Sequence, residues 1–306
     1  MNSYTAALVG CSRMGAFIDN EKHHTARILS PYSHAAGYAA SDHTKLIACA
    51  DLRVDVMEQF GEIYNVPKGH QYTDFRELID EEKPDILSVA TQPEQRAEII
   101  IYAAEHGIKA IYAEKAMAAS MEQVDSIVSA CNQNGVVFNL GTNRRWDPGF
   151  DAMKNIIDSG DLGRLESILV HSTGQLFNIG SHNFDLAMRM NSDIPGAWVQ
   201  GRLIDDDLFR LDGTLSGDPV GEGTIQFENG VTCYAMNTSH ANRYEVVCEK
   251  GIITTISDPG VKRTGEVEFQ VLIRDSNDKG HNYHYIQKTF MDRPFPKSKN
   301  VSSTLL

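Results

Sequence analysis

The 306-residue chain has little that would suit it to nucleic acid or to a bilayer. Lysine and arginine total 28 against 41 aspartates and glutamates, for a net charge of −13, and no basic block stands out. A polyanion, or an anionic membrane surface, therefore finds little electrostatic attraction. No apolar run approaches the ~18 residues of a membrane-spanning helix. The opening "MNSYTAALVG" lacks the basic segment and long apolar core of a leader peptide, so none is expected. The cysteines (Cys11, Cys49, Cys131, Cys233 and Cys248) are odd in number and never form a C-x-x-C pair. That excludes a disulfide framework and points to reduced thiols, hence to a cytoplasmic protein. Metal is not expected either. His23 and His24 are neighbours in a loop, and no acidic or cysteine partners stand at zinc spacing. His281 and His284 would point to opposite faces of a strand. "DDD" at 205–207 reads as a solvated turn. There is no internal repeat, low-complexity tract or long linker.

What is present is an ordinary globular composition, 42% hydrophobic and 23% charged, in a chain long enough for two domains. The first 141 residues alternate short apolar runs with helical patterns, as a parallel sheet requires. Strands are expected at 4–9, 45–50, 85–90, 108–112 and 136–140, with helices near 53–60, 74–81, 94–106 and 121–134. Thr91 before Pro93 suggests a helix cap. Ser120 with Gln123 has capping-box spacing, and Gly107 and Gly135 stand where C′ glycines would. Beyond residue 142 the texture changes. A helix over 148–158, a strand over 164–171 and a helix over 181–190 precede strands at 197–203, 222–228, 231–238, 243–249, 252–256, 265–274 and 282–289. Short turns such as "ENG" and "EKG" predict an antiparallel meander. The expected domains are 1–142 and 143–306.

"AALVGCSRMG" at residues 6–15 reads as the strand and tight turn of a dinucleotide-binding domain. The alternative is a chance loop. Gly10 and Gly15 fill the outer glycine positions, whereas the middle one is Ser12. A serine places a Cβ near the ligand, yet its hydroxyl can donate to a phosphate. Asp51, ending the second strand, is placed to accept from ribose hydroxyls and to disfavour a 2′-phosphate, and Arg53 softens that bias. Asp51 follows Gly15 by 36 residues instead of about 20. The excess, "DNEKHHTARILSPYS" at 19–33, reads as an insertion beside the cofactor or substrate mouth. Candidate cofactor contacts are Gly10, Ser12, Arg13, Met14, Asp51, Arg53, Thr91, Gln92, Glu114 and Lys115.

"YAEKAM" at 112–117 puts Glu114 and Lys115 at a strand's carboxyl end, where open α/β sheets bind ligands. Lysine there can hydrogen-bond a reacting oxygen, or it can be a solvated surface residue. In "NIGSHNFDLAMRM" at 178–190, helical spacing would put Asn178, His182 and Asp185 on one side. His182 can shuttle a proton near neutrality or merely pack. Arg145 and Trp146 open the second domain and can line a cleft or pack between domains.

"VGCSRMG", "CAD", "VATQP", "AEKAM", "NRRW-P", "GQLFNIGSHNFD" and "YEVVCEKGII" occur in the order seen in the glucose–fructose oxidoreductase and inositol dehydrogenase (Gfo/Idh/MocA) family, which the chain resembles over nearly its whole length. The resemblance implies an α/β fold: a Rossmann domain followed by an α/β domain with a large, mostly antiparallel open sheet. It also implies an oxidoreductase using NAD, with NADP as the alternative, on a sugar, polyol or sugar derivative, assembled as a homodimer or homotetramer through that sheet. Lys115 matches the family's Glu-Lys-Pro lysine, although Ala116 replaces the proline. His182 matches the catalytic histidine, and Asp185 the closing acid of the same segment. Asn178 stands where the family usually has aspartate; with Asp185, Arg145 and Trp146 it is a candidate substrate contact. The family leaves two other readings open. One is glycoside cleavage through transient oxidation by tightly bound NAD, and the other is a non-catalytic dinucleotide sensor. The chain also stops at "KNVSSTLL", where relatives usually continue into a further helical segment.

Overall fold

In a computed structural model of the chain, residues 3–20, 31–171, 174–204, 208, 217–238, 242–255, 269–274 and 285–290 are described. Two compact units result, the first running through Gly141 and the second beginning at Thr142. His23, His24, Asp205–Asp207, His281, His284, the final "KNVSSTLL", and the strand positions expected at 256, 265–268 and 282–284 lie outside the described residues.

The first unit holds a six-stranded sheet: β1 (Tyr4–Val9), β2 (Thr44–Ala50), β3 (Gln71–Tyr72), β4 (Ile86–Val89), β5 (Ala110–Ala113) and β6 (Val137–Leu140). The order is β3-β2-β1-β4-β5-β6, and all neighbours run parallel. Crossover helices are α1 (His34–Ala40), α2 (Val54–Tyr64), α3 (Phe75–Glu82), α4 (Pro93–Glu105) and α5 (Met121–Asn134). Alternation along the strands feeds two cores. Ala7, Val9, Ala48 and Ala50 join Leu78, Ile100 and Ile127 on one side, while Leu8 and Cys49 join Ala35 and Phe60 on the other.

Most helix signals appear as expected, and one is displaced. Ser120 Oγ accepts from Gln123 N (3.3 Å), and Gln123 Oε1 accepts in return from Ala119 N (3.0 Å). Gly107 and Gly135 have φ of +87° and +66°. The cap of α4, however, is Gln92 and not Thr91, because Pro93 occupies the first helical position and fixes the start there. Short α1 and two-residue β3 have no counterpart in the sequence reading. The insertion is drawn together at its ends, since the Asp19 carboxylate accepts from Tyr32 N and Ser33 N (both 2.8 Å). Ser33 then caps α1 through Ala36 N.

The second unit carries α6 (Pro148–Asp158), β7 (Leu165–His171), a π-helical turn (Leu176–Gly180) and α7 (Ser181–Met190). The remaining strands are β8 (Gly196–Leu203), β9 (Gly221–Phe227), β10 (Thr232–Met236), β11 (Arg243–Cys248), β12 (Gly251–Thr255), β13 (Phe269–Arg274) and β14 (Tyr285–Phe290). The sheet order is β14-β13-β12-β11-β7-β10-β9-β8. The simple meander is therefore corrected: β7 sits between β11 and β10 and runs parallel to β10. Tight turns specify the β9–β10 and β11–β12 hairpins but leave the slot between β10 and β11 open. The alternating apolar residues of β7 fill it, with Ile168 and Val170 buried against Phe150 and Met153 of α6 and Leu186 of α7.

Candidate functional site

The glycine turn follows from two contacts that tolerate no side chain. Gly10 has φ +94°, and a Cβ there would lie 2.8 Å from the Ala90 carbonyl carbon and oxygen. A Cβ on Gly15 would come within 2.0 Å of the Gly10 carbonyl oxygen. Both glycines thus let β1, β4 and the turn close on one another. The turn continues as a short π-helical segment, Arg13–Phe17, with Ser12 just before it. Ser12, Arg13 and Met14 are therefore consecutive backbone positions at the carboxyl end of β1.

A cleft of about 590 Å³ opens at the carboxyl ends of β1, β2 and β4, where the strand order reverses. Gly10, Ser12, Asp51, Arg53, Thr91 and Gln92 all line it. Apolar walls come from Leu52, Phe75 and Ile99. Asp51 does structural work before any ligand arrives. One carboxylate oxygen accepts from Cys11 N (2.8 Å), tying the glycine turn to β2, and the other accepts from Arg53 N (2.9 Å). A carboxylate has about four lone-pair sites, so capacity remains for ribose hydroxyls. Arg53 lies 4.0 Å from Asp51 with a mostly exposed side chain, a pairing that contributes little. Replacing Asp51 by alanine removes both anchors. Affinity for NADH should fall about tenfold or more, read by nicotinamide fluorescence titration.

Glu114 and Lys115 follow β5. Glu114 is buried, and its Oε1 lies 3.1 Å from His34 Nε2, whose ring Nδ1 faces Ser88 Oγ at 3.0 Å. Tyr38 OH completes the chain at 2.8 Å from Ser88 Oγ. Burial pushes the Glu114 carboxyl up, but the His34 hydrogen bond and the charges of His34, Lys115 and Arg96 outweigh it. The net direction is downward, so the group is a carboxylate at neutral pH. It faces this internal network and is absent from the cleft lining, as is Lys115. The Lys115–Ala116 peptide bond is cis.

In the second unit, Asn178 lies in the π-helical turn and His182 in the first turn of α7. Asn178 thus sits in a wider turn that leads directly into the α-helix carrying His182 and Asp185. Asn178 is exposed, and its backbone N–H donates to Asp218 Oδ2 (2.9 Å), while Phe177 N donates to the other oxygen (2.8 Å). His182 is half-buried. Asp185 is engaged by Arg145, whose Nε lies 3.0 Å from both carboxylate oxygens and whose Nη2 also reaches Asp193 (2.8 Å). The guanidinium of Arg189 lies 5.9 Å from the Trp146 ring centre. Arg145, Trp146 and Asp185 therefore form a clasp that fixes α7 to the 143–146 turn. Of Arg145, Trp146, Asn178, His182 and Asp185, Asn178 is the exposed one.

Residues 6–142 match the family described as "Oxidoreductase family, NAD-binding Rossmann fold" (GFO_IDH_MocA). The first unit is a Rossmann domain of this NAD-binding oxidoreductase family. The chain is 24% identical over 280 residues to the myo-inositol 2-dehydrogenase of Thermotoga maritima, covering 85% of this chain and 79% of that protein. It is 25% identical over 243 residues to the scyllo-inositol 2-dehydrogenase (NAD(+)) of Bacillus subtilis, covering 72% and 69%. The fold matches a levoglucosan dehydrogenase solved with NADH and L-sorbose, with a TM-score of 0.73, 20% identity, and coverage of 96% and 81%. Among the described residues, no helix is long and apolar enough to cross a membrane, and no cluster of His, Cys, Asp or Glu could hold a metal.

Nothing local in the sequence marks His34, Ser88 and Tyr38 as a buried network, Asp218 as the anchor of the Asn178 turn, or Arg96 as a buried group of α4. Arg96 stands among the polar residues Glu94, Gln95 and Glu98 of α4, so no local pattern signals its burial.

Proposed function

We propose that the chain is an NAD-dependent dehydrogenase or reductase acting on a secondary alcohol of a sugar, polyol or sugar derivative. The observation that carries the reading is the cleft after β1, β2 and β4. Its floor needs the two glycines, and its wall carries the Asp51 carboxylate at the end of β2, where it would meet the ribose. The inositol dehydrogenases among the relatives support a polyhydroxylated substrate. Bound NAD would accept or return the hydride. The backbone from Gly10 to Met14 would face its pyrophosphate, and Asp51 would favour NAD over NADP by repelling a 2′-phosphate.

The remaining chemistry belongs to the chain. Lys115 would hydrogen-bond the reacting oxygen and stabilise negative charge as it develops there. His182 would take the hydroxyl proton in oxidation or give it back in reduction, so the oxidation rate should rise with pH as its imidazole becomes neutral. Asn178 would orient a substrate hydroxyl, since an amide can donate and accept but cannot take a proton. The test is a panel of sugars and cyclic polyols with NAD⁺ and NADP⁺, followed at the nicotinamide absorbance. NADH formation with at least one of them, faster than NADPH formation, is expected. Reduction of neither dinucleotide by any member of the panel would contradict the reading.

A further inference from the structure

We infer that Arg96 is a positioning residue that ties the loop after β5, which carries Lys115, to the loop after β4, which carries Thr91 and Gln92. It rests on the proposed function only for what Lys115 does. Arg96 is 4% exposed in the first turn of α4. Its two terminal nitrogens reach different loops: Nη1 donates to the Ala116 carbonyl and Nη2 to the Thr91 carbonyl. Thr91 and Gln92 line the dinucleotide cleft, and Ala116 directly follows Lys115. One planar guanidinium thus sets the spacing between the cofactor seat and the lysine backbone, which a lysine's single ammonium cannot reproduce.

The other side of Lys115 is fixed independently. Glu114 N donates to Val89 O (2.9 Å), and the Glu114 carboxylate is held by His34. Lys115 therefore lies between two buried anchors, and Arg96 supplies the second. Burial lowers the Arg96 pKa to about 10, and the nearby Glu114 charge opposes that fall, so the fork stays protonated at neutral pH. The arrangement matters because a displacement of about 1 Å at a reacting group can cost about 10²-fold in rate.

The experiment compares the full-length wild type with Arg96→Gln, Arg96→Lys and Lys115→Ala, by amide hydrogen exchange and by NADH fluorescence titration. In Arg96→Gln, exchange should rise roughly tenfold in segments 90–92 and 114–118, and NADH affinity should fall roughly tenfold, while the rest of the first unit stays protected. Arg96→Lys should show the same pattern at smaller amplitude, and it carries the test if the glutamine variant does not fold. Wild-type exchange in both loops, or a rise spread evenly over the unit, would overturn the inference. Lys115→Ala should leave exchange in these segments unchanged. Full turnover in that variant would defeat the proposed chemistry while leaving the tether standing, so the two failures are distinguishable.

Discussion

Replacing Lys115 by alanine should lower kcat by about 10²-fold or more, the loss expected for one positioned electrostatic group of ~3 kcal/mol. Replacing His182 by alanine should cost ~10²–10⁴-fold and remove the rise of the oxidation rate through neutrality. The sign of that second effect follows from the proton. Oxidation needs a neutral imidazole to receive it, so the wild-type rate grows as pH passes the histidine pKa, whereas the variant's profile is flat there. The Lys115 side chain does not line the cleft after β1, β2 and β4, so NADH affinity should change little in that variant. Steady-state kinetics across pH, with NADH titrations alongside, reads both effects. Turnover near the wild-type rate in both variants would mean that these two residues do not carry the reaction.

A loss of stability as well as of affinity is expected at the glycine turn. Gly15→Ala places a methyl group 2.0 Å from the Gly10 carbonyl oxygen, a backbone atom that cannot swing aside. Gly10→Ala sets a Cβ at 2.8 Å from the Ala90 carbonyl and also forces alanine to φ +94°. Each should destabilise the first unit by about 3 kcal/mol or more, as overpacking against an immovable neighbour does. NADH affinity should drop by about 100-fold, equivalent to about 2.7 kcal/mol. Gly69→Ala is the control, because nothing lies within 4 Å of its Cβ position. Thermal melts and fluorescence titrations of the three variants give the comparison. An unperturbed Gly15→Ala would show that the turn does not close as described.

The parts of the molecule legible in the sequence are those written in local pattern. Parallel strands buried on both faces read as apolar runs, and the glycines, Asp51 and the capped helices announce themselves by residue type at fixed spacing. Ser120 and Gln123, for example, form the cap that their spacing implies. What stayed hidden depends on partners far along the chain. The slot that β7 takes between β10 and β11 is set by long-range packing, which no turn signal encodes. Asp185 and Arg145, each plausible at a substrate, face each other across 40 residues. Asn178 and His182 have helical spacing, but spacing does not encode that the turn holding Asn178 is π-helical and fastened by Asp218. Arg96 and His34 reach the Lys115 loop across 20 and 80 residues, through Ala116 and Glu114 respectively.

The central claim, that a nicotinamide dinucleotide lies across the ends of β1, β2 and β4, is tested most directly by a crystal structure of the full chain grown with NADH. The account predicts the pyrophosphate over the backbone of Gly10 to Met14, with Ser12 within hydrogen-bonding reach. It also predicts Asp51 on the adenosine ribose hydroxyls, with its bond to Cys11 N retained. A dinucleotide bound elsewhere, or a cleft left empty at millimolar NADH, would contradict it.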